Sequence, residues 1–249
     1  MDRDLQNITW KEFEQIKDKT TVILPVGSTE QHGYHLPLST DVIISKGLAL
    51  DLAAKIDGIV ASPITYGYKS QPTSGGGPLF PGTIDLTGTT MINLIYDVLS
   101  EFARDGVKKI FIVNGHFENQ PFIIEAMDMV TQKYDIKIVL SSWWDNIPET
   151  LVNILFDEVP FTSWALEHAA LTETSMIMYY KPELVHMERY VDEEPFTPGN
   201  YFLYPVHPGM TPSSGPLASA RSSSFEKGKM LAEEIVNGFY NIFNSVLNQ

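Results

Sequence analysis

The sequence contains no cysteine among its 249 residues. A chain without thiols has no disulfide framework, no thiolate metal site and no cysteine nucleophile. Any metal ion would therefore be held by histidine, aspartate or glutamate side chains. The 6 histidines and 31 acidic residues of the chain are the pool from which such ligands must come.

Basic residues are scarce as well. The chain has 17 Lys and Arg residues against 31 Asp and Glu residues, which gives a formal net charge of −14 at pH 7. Such a surface repels nucleic acid and anionic membranes, so we expect neither as a partner. A small neutral or cationic molecule is easier to accommodate, and we expect a small-molecule substrate.

Long apolar runs are also missing. No stretch of about 18 apolar residues is present that could span a bilayer, and residues 1–15 lack the apolar centre of a signal peptide. These absences predict a soluble, cytoplasmic protein. The length, with 43% hydrophobic residues, is sufficient for a large core, and we expect one domain over residues 1–249.

Strand-like and helix-like patterns alternate along the chain. Apolar strands are predicted at residues 21–27, near Gly58, at 108–115 and from Ile136 onward, and helices at 42–56, 91–104, 119–133 and 223–247. Residues 65–82 form a loop rich in glycine and proline, which is too long for an ordinary connector and typical of a functional loop. The alternation predicts an α/β fold with three α/β/α layers and a mainly parallel sheet.

Carboxylates and imidazoles follow two predicted strands that end in glycine. Glu30 and His32 follow the first strand, and His116 and Glu118 follow the strand at residues 108–115. In extended backbone the i, i+2 spacing puts both members of a pair on one side. Ligands of open parallel sheets bind beyond the carboxyl ends of the strands. With Asp41 at the start of the next helix, the sequence predicts a metal site.

This ligand set suits two divalent cations. Three carboxylates bring three negative charges and two divalent cations bring four positive ones, which leaves one positive charge to hold a hydroxide between the metals. A water bound in this way is deprotonated near neutral pH, so no activated serine or cysteine is needed. The sequence therefore predicts a two-metal hydrolytic site.

The other histidines have less specific surroundings. His35 could be a third ligand from the first segment, but the i, i+2 spacing favours His32. His186 and His207 lie among prolines and charged residues, and we expect them at the surface.

Aromatic and glycine residues allow two interpretations. Trp143, Trp144 and Trp164 could be core residues or walls of a site. The run Gly75, Gly76 and Gly77 could be a flexible tip, or it could let the backbone approach a ligand.

A second cluster of ionisable residues lies in WALEHAALTETS, residues 164–175. On a helix, Glu167 and His168 would face different ways and need separate roles. His168 could move a proton to a leaving nitrogen, because its unperturbed pKa is near neutrality, and a nearby carboxylate could fix its tautomer. The alternative is a solvated helix start that also carries Glu173.

From residue 8 to the last helix, the chain resembles the creatininase family, also called creatinine amidohydrolases. LPVGSTEQHGYHLPLSTD, residues 24–41, resembles the first metal motif of the family, and NGHFENQ, residues 114–120, resembles the second. Four further segments are similar to the creatinine-hydrolysing members in particular: YGYKSQPTSGGGPLFPGT, SSWWDN, WALEHAALTETS and TPSSGPLASARSSSFEKGK.

The resemblance implies an α/β/α fold, a homohexamer and two divalent metal ions per subunit, zinc or manganese. Carried over by position, Glu30, Asp41 and His116 would bind one metal. His32, Asp41 and Glu118 would bind the other, with Asp41 as the bridge.

The resemblance also implies catalytic and substrate-binding residues. His168 falls on the proton-transferring histidine of the family, with Glu167 beside it and Glu118 as the third catalytic residue. The implied substrate-binding positions are Trp144 on a mobile flap, Trp164 as the other aromatic wall, Ser74, Gly75, Gly76, Phe117 and Glu173.

The reaction that the resemblance implies is the reversible hydrolysis of creatinine to creatine, in which a metal-bridging hydroxide opens a cyclic amide. Phe117 stands where a tyrosine is expected in the best-known creatinine-hydrolysing members, and HLPLSTD is closer to the broad family. A family hydrolase acting on another cyclic amide, a formamide or a cyclic ketone is therefore an alternative. A metal-stabilised binding protein without turnover is a third hypothesis.

Overall fold

Four parallel strands form the sheet of the computed structural model, which describes residues 2–192 and 196–249. In chain order they are β1 Val22–Val26, β2 Ile59–Val60, β3 Lys109–Asn114 and β4 Lys137–Ser142. Their order across the sheet is β2-β1-β3-β4. The central strand β1 is buried along its whole length, which explains why it has a continuous apolar run and no alternation. The predicted parallel sheet is confirmed.

Helices cover both faces of this sheet. In chain order the α-helices of the described residues are α1 Trp10–Glu14, α2 Thr40–Ile56, α3 Gly88–Arg104, α4 Gln120–Thr131, α5 Glu149–Leu155, α6 Leu171–Tyr180 and α7 Phe225–Ile242. One apolar cluster joins α2, α6 and α7 to the sheet, and a second joins α3 and α4 to its other face. The predicted three-layer α/β/α fold is confirmed.

Successive residues of β1 supply the two clusters in turn. Ile23 packs with Phe111 in the cluster under α2, whereas Val22 and Leu24 pack in the cluster under α3. This is the two-residue period of a strand whose faces are both covered. Phe111 also contacts Phe239 of α7, with ring centroids 5.4 Å apart.

Some elements differ from the sequence-based prediction. The helix α5 is not predicted, and the helix expected to include residues 164–175 begins only at Leu171. The last predicted helix is α7 followed by a π-helical turn, Phe243–Leu247. Within the described parts of the chain, no helix is long and apolar enough to cross a membrane.

Candidate active site

The candidate site lies at the carboxyl ends of β1 and β3, where the start of α2 packs closely against the backbone. Val26 pairs with Asn114 across the two strands, so the glycines that follow are neighbours. A Cβ on Gly27 would lie 2.7 Å from the Val42 nitrogen, and a Cβ on Gly115 would lie 2.6 Å from the Asp41 carbonyl oxygen. Glycine at these two positions lets α2 bring the Asp41 side chain between the strand ends.

Glu30, Asp41 and His116 form the first group of candidate metal ligands. His116 Nδ1 lies 2.7 Å from Glu30 Oε1 and 3.2 Å from Asp41 Oδ2. The other ring nitrogen, Nε2, donates a hydrogen bond to the Tyr68 carbonyl at 2.9 Å. That bond orients the ring and leaves Nδ1 as the ligand atom facing the carboxylates, the usual arrangement behind a metal-bound histidine.

His32, Asp41 and Glu173 form the second group. His32 Nε2 lies 3.0 Å from Asp41 Oδ1 and 3.5 Å from Glu173 Oε2. His32 Nδ1 donates to the Glu30 carbonyl at 3.2 Å, so the ring is again held by a backbone oxygen. Asp41 is shared by the two groups and presents one carboxylate oxygen to each.

The donor set fits divalent cations. Within each group the ligand atoms lie within 4.8 Å of one another, and all these residues are buried. Glu30 Oε2, His32 Nε2 and Asp41 Oδ2 are buried atoms without a hydrogen-bond partner, although an opposite charge is near. Buried polar atoms are rarely left in this state, and a cation would satisfy all three.

Burial and mutual charge shift the pKa values of the candidate ligands. Burial raises the pKa of Glu30 to about 7 and that of Glu173 to about 8. Burial alone would lower the pKa of His32, but the Asp41 and Glu173 carboxylates outweigh it and raise the pKa to about 10. The His32 and His116 charges hold the pKa of Asp41 below its usual range despite burial. In the absence of metal, the protons on the histidines therefore compensate the charge of the carboxylates, and bound cations would replace them.

Glu118 lies outside the group to which the resemblance assigned it. Its Oε1 accepts hydrogen bonds from the Gln71 N–H, at 3.0 Å, and from the Ser74 hydroxyl. Its Oε2 lies 3.1 Å from His116 Nε2, the ring nitrogen directed away from Glu30. The physical reason is local: residues 117–119 form a 3-10 turn, which directs the Glu118 side chain toward His116 Nε2 and not toward His32 and Asp41. Glu173 is near His32 and Asp41 instead.

Glu167 and His168 lie in the turn before α6, not on a helix as expected. Ala169 has a φ of 52°, which a continuing helix does not permit. At the start of α6, two backbone N–H groups donate to carboxylates. Thr172 N–H donates to Glu167 Oε2 at 3.1 Å, and Ala169 N–H donates to Glu173 Oε2 at 2.6 Å. These contacts bring residues of the α6 segment into the site.

His168 is oriented by Gln31, a residue that the sequence analysis missed. Gln31 Nε2 lies 2.8 Å from His168 Nε2, and its two hydrogens are shared between that nitrogen and the Gly75 and Gly215 carbonyls. Gln31 Oε1 accepts from the Gly33 N–H at 2.9 Å, which fixes the orientation of the amide. Burial lowers the pKa of His168 well below its usual range, so its imidazole is neutral at rest.

Aromatic residues close the site over these groups. Trp144 contacts Phe117 with ring centroids 5.4 Å apart, and Trp143 contacts Trp144 at 5.3 Å and Trp164 at 6.2 Å. All four side chains line one cavity of about 20 Å³, together with candidate ligands and Glu118, Glu167 and His168. That volume holds about one water molecule. Trp143 and Trp144 also belong to the apolar core, and Trp164 packs against its edge.

The glycine-rich loop lies beside the cavity. Ser74 lines it, whereas Gly75 and Gly76 lie against Gln31. Gly76 has a φ of 106°, and a Cβ there would lie 2.7 Å from Gln31 Nε2. The loop therefore reaches the site mainly through Ser74 and through the support that it gives to Gln31.

The remaining histidines lie outside the candidate groups. His35 is buried and its Nε2 is paired with the Thr174 hydroxyl at 3.0 Å. His207 is exposed, as expected, and the His186 side chain is 41% exposed. The spacing argument that favoured His32 over His35 agrees with this geometry.

Comparison with known proteins identifies the family. The family model described as Creatininase, creatinine amidohydrolase, matches residues 6–243. The chain belongs to the creatininase family. It is 38% identical to the creatinine amidohydrolase of Pseudomonas putida over 240 residues, which cover 93% of this chain and 92% of that protein. It is therefore a creatininase-family hydrolase.

Solved creatininase structures share the fold. A mutant creatininase complexed with creatine matches with a TM-score of 0.94 at 36% identity, and the match covers 98% of both chains. A creatininase described with Mn matches with a TM-score of 0.95 at 35% identity and the same coverage. These similarities extend over nearly the whole chain and include both segments that build the site.

Proposed function

We propose that this chain is a metal-dependent cyclic amidohydrolase that converts creatinine to creatine reversibly. The observation that carries the proposal is the pair of ligand groups sharing Asp41, with unpaired ligand atoms, next to an aromatic-walled cavity that also contains His168. The similarity to creatinine amidohydrolase over most of the chain supports this choice of substrate.

Two divalent ions per subunit, zinc or manganese, would be held by the two groups. Glu30, Asp41 and His116 would hold one ion, and His32, Asp41 and Glu173 would hold the other. When bound, such ions supply Lewis acidity, which polarises a carbonyl and lowers the pKa of water. Nitrogen and carboxylate donors without thiolate suit either metal.

Glu118 and His168 act as the proton acceptor and the proton donor of the reaction. Glu118 Oε2 is buried without a hydrogen-bond partner, so it is available to accept a proton from the attacking water. The water oxygen bonds to the ring carbonyl carbon, and the ring C–N bond breaks. The second proton of that water passes through His168 to the departing ring nitrogen, because the lowered pKa of His168 makes it release a proton readily, and Glu118 returns its proton to solvent as the product leaves.

The aromatic walls and the loop position the ring. Trp144 and Trp164 offer flat faces to a flat, guanidino-type ring, and Phe117 and Ser74 border the same cavity. A cavity that holds about one water is too small for a five-membered ring, so a wall must move for substrate to enter. Closure of Trp144 would then exclude water from the polarised carbonyl.

We also propose that residues 1–249 act as one metallohydrolase domain within a homohexamer. The resemblance to creatininases supports the hexamer. Exposed apolar side chains supply surface for subunit contacts, among them Tyr201, Phe202, Leu203 and Tyr204.

The test is creatine formation from creatinine by protein that has been stripped of metal and reloaded with zinc or manganese. Reloaded wild-type protein should form creatine, stripped protein should not, and the Glu118→Gln variant serves as the blank. Metal-loaded wild-type protein that leaves creatinine intact would disprove the substrate and direct the search to other ring amides and formamides.

A further inference from the structure

One wall of the cavity carries an acceptor and a donor that the steps above do not use. Glu167 Oε1 and Trp143 Nε1 are buried without a hydrogen-bond partner, and both side chains line the cavity next to the candidate ligands. Glu167 is 3% exposed and Trp143 is 2% exposed. Buried groups of this kind are normally paired, so an unpaired acceptor and donor in one cavity indicate a ligand that pairs with them.

We propose that Glu167 selects the substrate by accepting a hydrogen bond. The donor is the exocyclic N–H group on the ring carbon that lies between the two ring nitrogens. Glu167 would favour the cyclic amidine creatinine over 1-methylhydantoin, the isostere in which a carbonyl replaces that N–H group. This inference rests on the proposed function for the identity of the ring, and it adds the group by which the ring is recognised.

The carboxylate has a fixed orientation. The Thr172 N–H and the Thr172 hydroxyl both donate to Glu167 Oε2, at 3.1 Å and 2.9 Å. Oε2 is therefore committed to the start of α6, and Oε1 is the oxygen left for the cavity. Because the anchor is a backbone N–H together with a short side chain, the carboxylate has little freedom to exchange its two oxygens.

Burial makes this acceptor selective. An N–H donor stabilises a buried carboxylate. A carbonyl oxygen at the same place cannot donate a hydrogen bond, and it is repelled by the carboxylate oxygen. A site built to pair with a substrate N–H rejects an analogue that lacks it, because the polar group of the site is then left unpaired. The flat faces of Trp144 and Trp164 accept either ring equally well, so discrimination depends on Glu167.

Trp143 makes the second contact. Its indole N–H can only donate, so the ligand must offer an acceptor as well as an N–H. Both creatinine and 1-methylhydantoin carry a ring carbonyl that could take this role. Trp143 therefore supports recognition of a ring amide in general, and Glu167 supplies the distinction between the two rings.

The substitution Glu167→Gln inverts the hydrogen bond at a fixed place. Thr172 will keep the amide oxygen at the Oε2 position, so the NH2 group replaces Oε1 and becomes a donor to the cavity. Glu167→Met is the matched control, since it is similar in size and neither donates nor accepts there. Burial raises the pKa of Glu167 to about 7, so a pH of about 8.5 keeps the wild-type carboxylate ionised.

The experiment measures binding of creatinine and 1-methylhydantoin to zinc-loaded protein by calorimetry, and creatine formation in parallel. Wild-type protein should prefer creatinine by about a hundredfold or more. Glu167→Gln should weaken creatinine binding about tenfold to a hundredfold and strengthen binding of the hydantoin. Glu167→Met should weaken creatinine binding with no gain for the hydantoin. Melting temperatures confirm that the variants are folded.

The outcomes separate this inference from the proposed function. Wild-type protein that prefers creatinine but forms no creatine would disprove the reaction and leave the selection by Glu167 supported. Equal binding of the two rings by wild-type protein, binding of neither, or an unchanged preference in Glu167→Gln would overturn the inference. If neither variant folds, equal binding of the two rings by wild-type protein still overturns the inference.

Discussion

The two regions that build the site hold their ionisable side chains in opposite ways. At the ends of β1 and β3, His32 and His116 each donate a ring N–H to a backbone carbonyl, and their other nitrogens face carboxylates. At the start of α6, backbone N–H groups donate to the Glu167 and Glu173 carboxylates. The strand ends are thus prepared for cations, whereas the α6 carboxylates support both the helix start and the site.

Replacement of Asp41 should have the largest effect, because this carboxylate is shared by both ligand groups. Asp41→Ala should lower bound zinc from two ions per chain toward none and reduce turnover by at least about a thousandfold. Elemental analysis after reloading and an assay of creatine formation measure both effects. If Asp41→Ala still bound two zinc ions, the result would contradict the claim that the two ligand groups share Asp41.

Replacement of His168 should separate chemistry from metal binding. His168→Gln removes a group from the α6 region that belongs to neither proposed metal group. Its ligand atom also lies near those of Glu30 and His32, but its Nε2 is paired with Gln31. We expect turnover to fall about a hundredfold to ten-thousandfold, the usual range for a lost proton-transfer group. Zinc content should equal that of wild-type protein, and a fall in zinc content would contradict the assigned role.

Metal removal should destabilise the fold through the same region. Buried carboxylates face one another there, so each cation that binds only the folded state adds stability, about 2.7 kcal/mol at a free concentration of 100 times its Kd. Calorimetry should show a lower melting temperature after chelation and recovery with zinc. In Asp41→Ala the zinc-dependent increase should largely disappear.

His35 lies outside the candidate ligand groups, and its protonation should affect the stability of the fold. Burial lowers its pKa to about 4, so the unfolded chain takes up a proton near pH 6.5 while the folded chain stays neutral. The free energy of unfolding should therefore fall as the pH drops from about 6.5 to about 4, with a slope no steeper than about 1.4 kcal/mol per pH unit from this group.

His35→Gln removes that titration and keeps a polar partner for Thr174. Denaturant titrations of wild-type and variant protein across this pH range should show the variant losing less stability on acidification. Parallel pH profiles for the two proteins would mean that His35 is protonated in the folded state as easily as in the unfolded chain.

The sequence predicted the strand ends well because their signals are local. An apolar strand, a glycine and an i, i+2 pair lie within a few residues of one another, and the parallel sheet then brings the two segments together. This pattern predicted Glu30, His32, Asp41 and His116, and the structure brings the four side chains together, while their role as metal ligands stays a prediction. The resemblance, and no local pattern, placed Glu118 with His32 and Asp41, whereas the 3-10 turn of residues 117–119 directs its side chain toward His116 Nε2.

The residues that were missed depend on distant partners. The Gln31 amide is fixed by carbonyls that are 44 and 184 residues away in sequence, and no local pattern indicates such a contact. The sequence left Trp143 open as a core residue or a wall of the site, and only the fold shows that it belongs to the core and that its indole N–H is unpaired beside the cavity. The late start of α6 depends on Ala169, whose positive φ is unusual for a residue with a side chain.

The most direct test of the account is the zinc content of Glu173→Gln and Glu118→Gln after identical reloading. The structure places Glu173, from the α6 region, with His32 and Asp41, and places Glu118 beside His116 Nε2. We expect Glu173→Gln to bind one zinc ion fewer than wild-type protein and Glu118→Gln to bind the same number. Loss of zinc from Glu118→Gln together with full loading of Glu173→Gln would contradict the account.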